Sequence, residues 1–280
     1  MKAGVASSTA ISTAALRAAH LLLFDAPKIF EDTLALDLTG LETRENLRAF
    51  LHKRPLPDLE RVSAYFALRH RFSEDRLWQA LKRGVRQVVL LGAGLDTLAL
   101  RHPDLLNRVR FIEVDHPDSQ AWKRERLSAL GLAAGNVDYV QVDFATQDLA
   151  GELSSAGIEP DVPTFFAWLG VTQYISEDAV TQTLSLAARH APASEIVFDV
   201  IRPLDGLPPD EFAISDAARA FSTRRGEPWL SYFTPEALDP NLRAMGYSQI
   251  MWLTKEEAAI YYAGQRTSPL TAWQLIAAVV

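Results

Sequence analysis

Two glycines, Gly92 and Gly94, break the apolar run Val88-Val89-Leu90-Leu91 and are followed by Asp96 and Thr97. Glycine at this spacing lets a chain leave a buried strand in a sharp turn and brings its backbone N–H groups close to a nucleotide-like ligand. Asp96 then has the chemistry to cap the next helix. A dinucleotide fingerprint would carry a third glycine where this chain has Thr97, which weakens a nicotinamide reading. No lysine followed by Ser or Thr comes after the glycines, so a triphosphate cradle is disfavoured too.

Acids and aromatics stand at the ends of the later apolar runs: Glu113-Val114-Asp115, Asp143-Phe144 and Trp168-Leu169-Gly170. Asp115 lies about 20 residues past the glycines, the distance at which an acid accepts hydrogen bonds from both ribose hydroxyls. Capping the helix that starts at Pro117 is its structural alternative. Asp143 could accept from an adenine amino group with Phe144 on the base, or cap a helix before Ala145. His70, His102, His116 and His190 show no partner carboxylate by spacing, so none is assigned as a catalytic base. Trp229, Tyr232 and Phe233, after Arg224-Arg225-Gly226-Glu227-Pro228, fit core packing somewhat better than a substrate pocket; Tyr261-Tyr262 is equally open. HExxH, GxSxG and metal-ligand spacings are all missing, and no metal site is expected.

These residues need a scaffold that gathers strand ends. Branched apolar runs at Gln87–Leu91, Arg110–Asp115, 138–142, Thr164–Trp168 and 195–200 alternate with helical stretches after Thr97, Pro117, Ala145, Ser176 and Pro208. That alternation predicts an α/β, doubly wound, mainly parallel sheet, and runs at 247–253 and 273–280 bring it to seven strands, with room for an antiparallel closing strand. Ligands of such sheets bind beyond the carboxyl ends of the strands where their order reverses, which is where the polar residues fall. Upstream, residues 8–24 and Leu59–Lys82 read as helices, joined through the connector Lys53-Arg54-Pro55-Leu56-Pro57. The expected organisation is a helical cap or lid over 1–85 and a core over 86–280 with a substrate-lid insertion near 202–234.

Composition narrows the partners. The chain has 280 residues, 48% hydrophobic and 22% charged, enough for a proper core. With 28 Lys and Arg against 35 Asp and Glu, the net charge of −7 opposes non-specific attraction to nucleic acid or anionic membrane and favours a small-molecule substrate. The absence of cysteine excludes disulfides, thiol nucleophiles and thiolate metal sites. Leu21-Leu22-Leu23-Phe24 is too short to span a membrane, and no secretory signal is recognisable, so a cytoplasmic protein is expected. Oligomeric state is not legible.

Arg69-His70-Arg71, Val88–Thr97 as VVLLGAGLDT, Glu113–Pro117 as EVDHP, Val142-Asp143-Phe144 and Trp168–Tyr174 as WLGVTQY occur in one order and spacing. Together they resemble the leucine carboxyl methyltransferase family, in particular its bacterial S-adenosylmethionine-dependent branch. The resemblance implies a class I, Rossmann-like methyltransferase core with an N-terminal helical cap. It also implies roles: Gly92, Ala93 and Gly94 along the methionine part of S-adenosyl-L-methionine, Asp115 at the ribose, Asp143 with Phe144 at the adenine, and Arg69 at the cofactor carboxylate. Leu169 belongs to the same cofactor-binding set, and stands where many relatives carry a glutamate. Leu98 stands where many carry an arginine.

The favoured function is therefore an S-adenosylmethionine-dependent O-methyltransferase acting on a carboxylate or hydroxyl of a small molecule or natural-product intermediate. A carboxylate acceptor needs no base, because attack on a sulfonium methyl neutralises charge and alignment and desolvation supply much of the rate. An NAD-dependent oxidoreductase and a catalytically inactive cofactor-binding protein are the alternatives.

Overall fold

The computed structural model describes residues 8–280 apart from Ala26, Pro55, Ala133, Ala134, Ala145 and Thr146. Pro55 of the connector, Ala145 of the expected helix start and residues 1–7 of the expected cap thus lie outside the described residues. Seven strands form one sheet: β1 (Gln87–Leu91), β2 (Arg110–Asp115), β3 (Val137–Gln141), β4 (Thr164–Trp168), β5 (Glu195–Ile201), β6 (Gln249–Trp252) and β7 (Trp273–Val279), in the order β3-β2-β1-β4-β5-β7-β6. β1 to β5 pair in parallel, while β7 runs antiparallel to both β5 and β6. The order reverses between β1 and β4, so their carboxyl ends open a crevice at the glycine turn.

Every residue of β1, β4 and β5 is buried, as expected of parallel strands covered on both faces. The strands fall within a residue or two of their expected ends, and the differences have causes. β5 reaches Ile201 because its ladder with β7 continues to the Ile201 and Trp273 pair. Val142 lies beyond β3, although its N–H still donates to the Asp115 carbonyl at 2.9 Å.

Leu59–Lys82 is the helix that positions the site. The Asp58 side chain accepts from the Arg61 N–H to start it. Its Ala64, Ala67, Leu68, Phe72 and Leu77 pack against Val88, Leu90, Phe165, Val197 and Leu275 of the sheet. Val62, Tyr65 and Phe66 face another way, onto Ala15 and Leu16 of the helix Ser8–Leu22 and onto Ile201 and Trp273. One helix thus joins the sheet to the N-terminal helices, and Arg69 sits along it. The opposite sheet face is covered by Leu149–Ser155, Glu177–Ala187 and Pro235–Met245, through Leu153, Leu184 and Leu242.

Between β5 and β6 the helix Pro209–Thr223 is followed by an extended stretch sewn to the strand ends. Leu230 N–H donates to the Gln173 carbonyl, Ser231 Oγ to the Thr172 carbonyl and Phe233 N–H to the Ile201 carbonyl.

Candidate active site

A cleft of about 360 Å³ lies over the carboxyl ends of the strands. Arg69, Gly92, Ala93, Gly94, Asp115, Asp143, Phe144 and Leu169 all line it, so the fold brings the expected set together.

The glycine turn is tighter than its sequence suggests. Gly92 has φ 67°, and a Cβ there would come within 2.4 Å of Val171 Cγ2, so both backbone conformation and space demand glycine. The N–H groups of Gly92 and Ala93 donate to the Val114 carbonyl at 2.8 and 3.0 Å, and that of Gly94 to Asp115 Oδ2. The three N–H groups of the turn are therefore taken up within the protein, because the β1 and β2 pairing continues past the strand ends. Asp115 Oδ1 accepts from the His116 N–H at 2.7 Å. The helix Pro117–Ala129 is capped instead by His116, whose Nδ1 accepts from the Asp118 N–H. Burial pushes the Asp115 carboxyl above its ordinary value, against the two backbone N–H bonds that favour its charge.

Asp96, one residue ahead of the N-cap position held by Thr97, accepts from the Leu98 N–H at 2.7 Å at the start of the helix Leu98–Arg101. Thr97 has a structural task of its own. Its hydroxyl donates to Asp32 Oδ1 at 2.8 Å and accepts from Arg101 Nε at 2.8 Å, while Asp32 Oδ2 pairs with Arg17 at 2.8 Å. Arg17 also donates to the Leu95 carbonyl, so buried charges clamp the glycine turn from below.

Asp199 was not legible as a site residue. It lies in β5, lines the cleft and is buried, with Oδ1 accepting from the Gly170 N–H and Oδ2 from Arg69 Nη1 at 3.0 Å and Tyr65 Oη at 3.3 Å. The signal was available: a lone carboxylate inside the otherwise apolar run Ile196-Val197-Phe198-Asp199-Val200-Ile201. Arg69 is no solvated helix charge; it is 5% exposed, lies over the Phe66 ring and keeps a buried Nε without a hydrogen-bond partner. Gly170, at φ 74°, admits that guanidinium, since a Cβ would stand 2.6 Å from Arg69 Nη1. Leu169 beside it packs on the apolar core, and the carboxylate at this point of the cleft comes from Asp199 on the neighbouring strand.

Asp143 and Phe144 follow β3 on the far side. Gln147 Oε1 accepts from the Asp143 N–H at 2.8 Å, and Asp148 caps the helix Leu149–Ser155, while the helix start expected at Ala145 lies outside the described residues. Among the histidines, folding supplies the carboxylates that spacing did not show. His70 Nε2 stands 3.6 Å from Asp96, His102 Nε2 3.4 Å from Glu74 and His116 Nδ1 3.7 Å from Asp118. Only His70 and His116 of the four line the cleft; His190 packs on Phe166. Burial, then Arg17 and Arg69, hold His70 well below the ordinary imidazole value, so it is neutral at pH 7.

Beyond the glycine turn the cleft continues between aromatic walls that include Tyr65, Phe66, Tyr174, Trp229 and Trp273. Trp229 both lines the cleft and packs edge-on against Tyr232 and Trp273. Tyr232, Phe233, Tyr261 and Tyr262 belong to the packed clusters away from the lining.

The model of the family described as leucine carboxyl methyltransferase matches residues 10–188. The chain belongs to this family. The match takes in the helix bearing Arg69, the glycine turn, Asp115, Asp143 and Leu169, and ends before Asp199. YktD of Bacillus subtilis, assigned as an S-adenosyl-L-methionine-dependent methyltransferase, is 29% identical over 99% of this chain and 97% of its own length. A protein of Parafrankia, assigned likewise, is 38% identical over 50% of this chain and 45% of its own. Among solved structures, a protein from Thermobifida fusca assigned as a methyltransferase superposes with TM-score 0.54 at 19% identity, covering 88% of this chain and 94% of that one. That likeness is one of fold: the class I methyltransferase sheet with flanking helices. The protein is an enzyme of the methyltransferase class. Among the described residues, no helix is long and apolar enough to cross a membrane, and no cluster of His, Asp and Glu is placed to hold a metal ion.

Proposed function

We propose that the protein is an S-adenosyl-L-methionine-dependent O-methyltransferase whose acceptor is a carboxylate or hydroxyl of a small molecule. The observation that carries this is the convergence on one cleft of Arg69, the Gly92–Gly94 turn, Asp115 and Asp143 with Phe144. The residues fit the cofactor chemically. The Gly92–Gly94 turn lines the cleft, Asp115 offers carboxylate oxygens to ribose hydroxyls, and Arg69 keeps an unpartnered buried Nε for an anionic group. Asp143 and Phe144 suit an adenine amino group and ring face. When bound, the cofactor supplies an electrophilic methyl on a positively charged sulfonium.

The chain's own part is to align the acceptor and keep water out. The aromatic walls do both, and a carboxylate acceptor reaches them already ionised and needs no base. The described part of 8–85 and the 202–234 segment are in this reading the lid over this half, a role supported by Leu16, Phe66 and Trp229, which line the cleft from those stretches. Incubation with S-adenosyl-L-methionine and a panel of carboxylic and phenolic metabolites, read by mass spectrometry, should yield a product heavier by one methyl group on oxygen. Methylation confined to nitrogen or carbon would overturn the O-methyl reading.

A further inference from the structure

Three arginines line the cleft, and two of them are ion-paired within the protein: Arg17 with Asp32 at 2.8 Å and Arg69 with Asp199 at 3.0 Å. Arg54 forms no ion pair among the described residues. Its Nε donates to Ser12 Oγ at 3.2 Å and its Nη1 to the Phe50 carbonyl at 2.9 Å, both neutral acceptors. The guanidinium carbon lies over the Phe50 ring, 3.3 Å from its centroid, with the Phe221 ring at 5.3 Å. Arg225 stacks on Phe221 at 3.8 Å, adding a second positive charge. Burial, and then Arg225, lower Arg54 to about 10, which still leaves it protonated at neutral pH. A fixed, partly desolvated cation beside a like charge gains more from an anion than a solvated arginine would.

We propose that Arg54 is a specificity residue that binds a carboxylate of the acceptor, a carboxylate distinct from the oxygen that receives the methyl. The aromatic side chains that share the cleft with Arg54 set the rest of the molecule. Tyr65 and Trp229 meet Trp273 edge-on at 5.1 and 6.5 Å, and with Phe66 they give the cleft aromatic lining that suits a flat ring system. Glu227 and Tyr174 also line the cleft, and burial holds the Tyr174 hydroxyl above its ordinary value. The substrate class is thus a flat, aromatic hydroxy acid or diacid. This inference rests on the methyltransferase reading, because it takes the other half of the cleft as the cofactor's.

The test is calorimetry on S-adenosylhomocysteine-loaded protein with hydroxybenzoate, hydroxynaphthoate and their primary amides. Each acid should bind about tenfold or more tightly than its amide, the loss typical of one charge-assisted contact. Arg54→Gln should bring the acids down to the level of the amides, Arg54→Lys should restore part of the difference, and S-adenosylhomocysteine affinity should stay unchanged in both. Amides that match the acids, an acid preference that survives in Arg54→Gln, or acids that fail to bind the loaded protein would each overturn the assignment of Arg54. Failure of the wild type to bind S-adenosylhomocysteine would instead strike the methyltransferase reading itself.

Discussion

Asp199 of β5 and Arg69 of the helix Leu59–Lys82 meet at 3.0 Å, and the other oxygen of Asp199 holds the Gly170 N–H. One carboxylate therefore fixes a helix, a strand and the loop after β4 around the cleft. Asp199→Ala leaves a guanidinium buried without its counter-charge, a loss of about 3–5 kcal/mol. Asp199→Asn keeps one acceptor oxygen, for the Gly170 N–H or for Arg69 and Tyr65, and should lose less. Urea denaturation of both variants checks this, and an Asp199→Ala protein as stable as the wild type would show that Arg69 is held by other means.

Gly92→Ala combines a left-handed backbone with a contact at 2.4 Å from Val171. Strain of about 1–2 kcal/mol and overpacking of about 1–3 kcal/mol are expected together. Adding Val171→Ala should remove the overpacking part and leave the backbone part. The comparison is between the double variant and Val171→Ala alone, by thermal or chemical unfolding; equal stability of that pair would mean that the turn relaxes freely.

These two sites show what was legible in the residues and why. Strand runs such as Val88-Val89-Leu90-Leu91 are local signals of burial, so the sheet, its strand ends and the glycine turn could be read from the chain. Asp115 and Asp143 were legible because they sit at strand ends, where the sheet topology gathers side chains. Asp199 was hidden inside a strand, and its partners Arg69 and Gly170 are far away in sequence, so only folding brings them together. The same holds for the carboxylates beside His70 and His102. Thr97 read as the absence of a glycine, whereas its bonds to Asp32 and Arg101 make it a tie between distant segments.

Thr97→Gly completes a dinucleotide fingerprint in sequence, so it separates pattern from structure. The variant loses hydrogen bonds to two buried charged groups, each worth about 1.5–3 kcal/mol in favourable cases, and gains backbone freedom. It should unfold at clearly lower denaturant concentration and should not acquire NAD binding in a fluorescence titration. Micromolar NAD affinity in this variant would revive the oxidoreductase alternative.

His20 makes the N-terminal helix sensitive to acid. Its buried ring accepts the Ile29 N–H at 3.0 Å, and burial, then Lys28, lower its value from 6.5 to about 4. Folded protein therefore keeps this imidazole neutral where the unfolded chain would protonate it. Its contribution is complete above pH 6.5 and is lost as pH falls towards 4, with a size on the order of 3 kcal/mol. His20→Gln can keep an acceptor without titrating, so the stability difference between wild type and variant should shrink across that window. A difference that stays constant from pH 7 to about 4 would contradict the assignment to His20.

The central claim is that the cleft holds a methyl donor through Asp115 and the glycine turn. Calorimetric titration of the purified protein with S-adenosylhomocysteine, with NAD as the comparison ligand, tests it most directly. The account predicts one S-adenosylhomocysteine per chain, affinity reduced at least about tenfold in Asp115→Ala by loss of a charge-assisted contact, and no NAD binding. Tight NAD binding with no response to S-adenosylhomocysteine would contradict it.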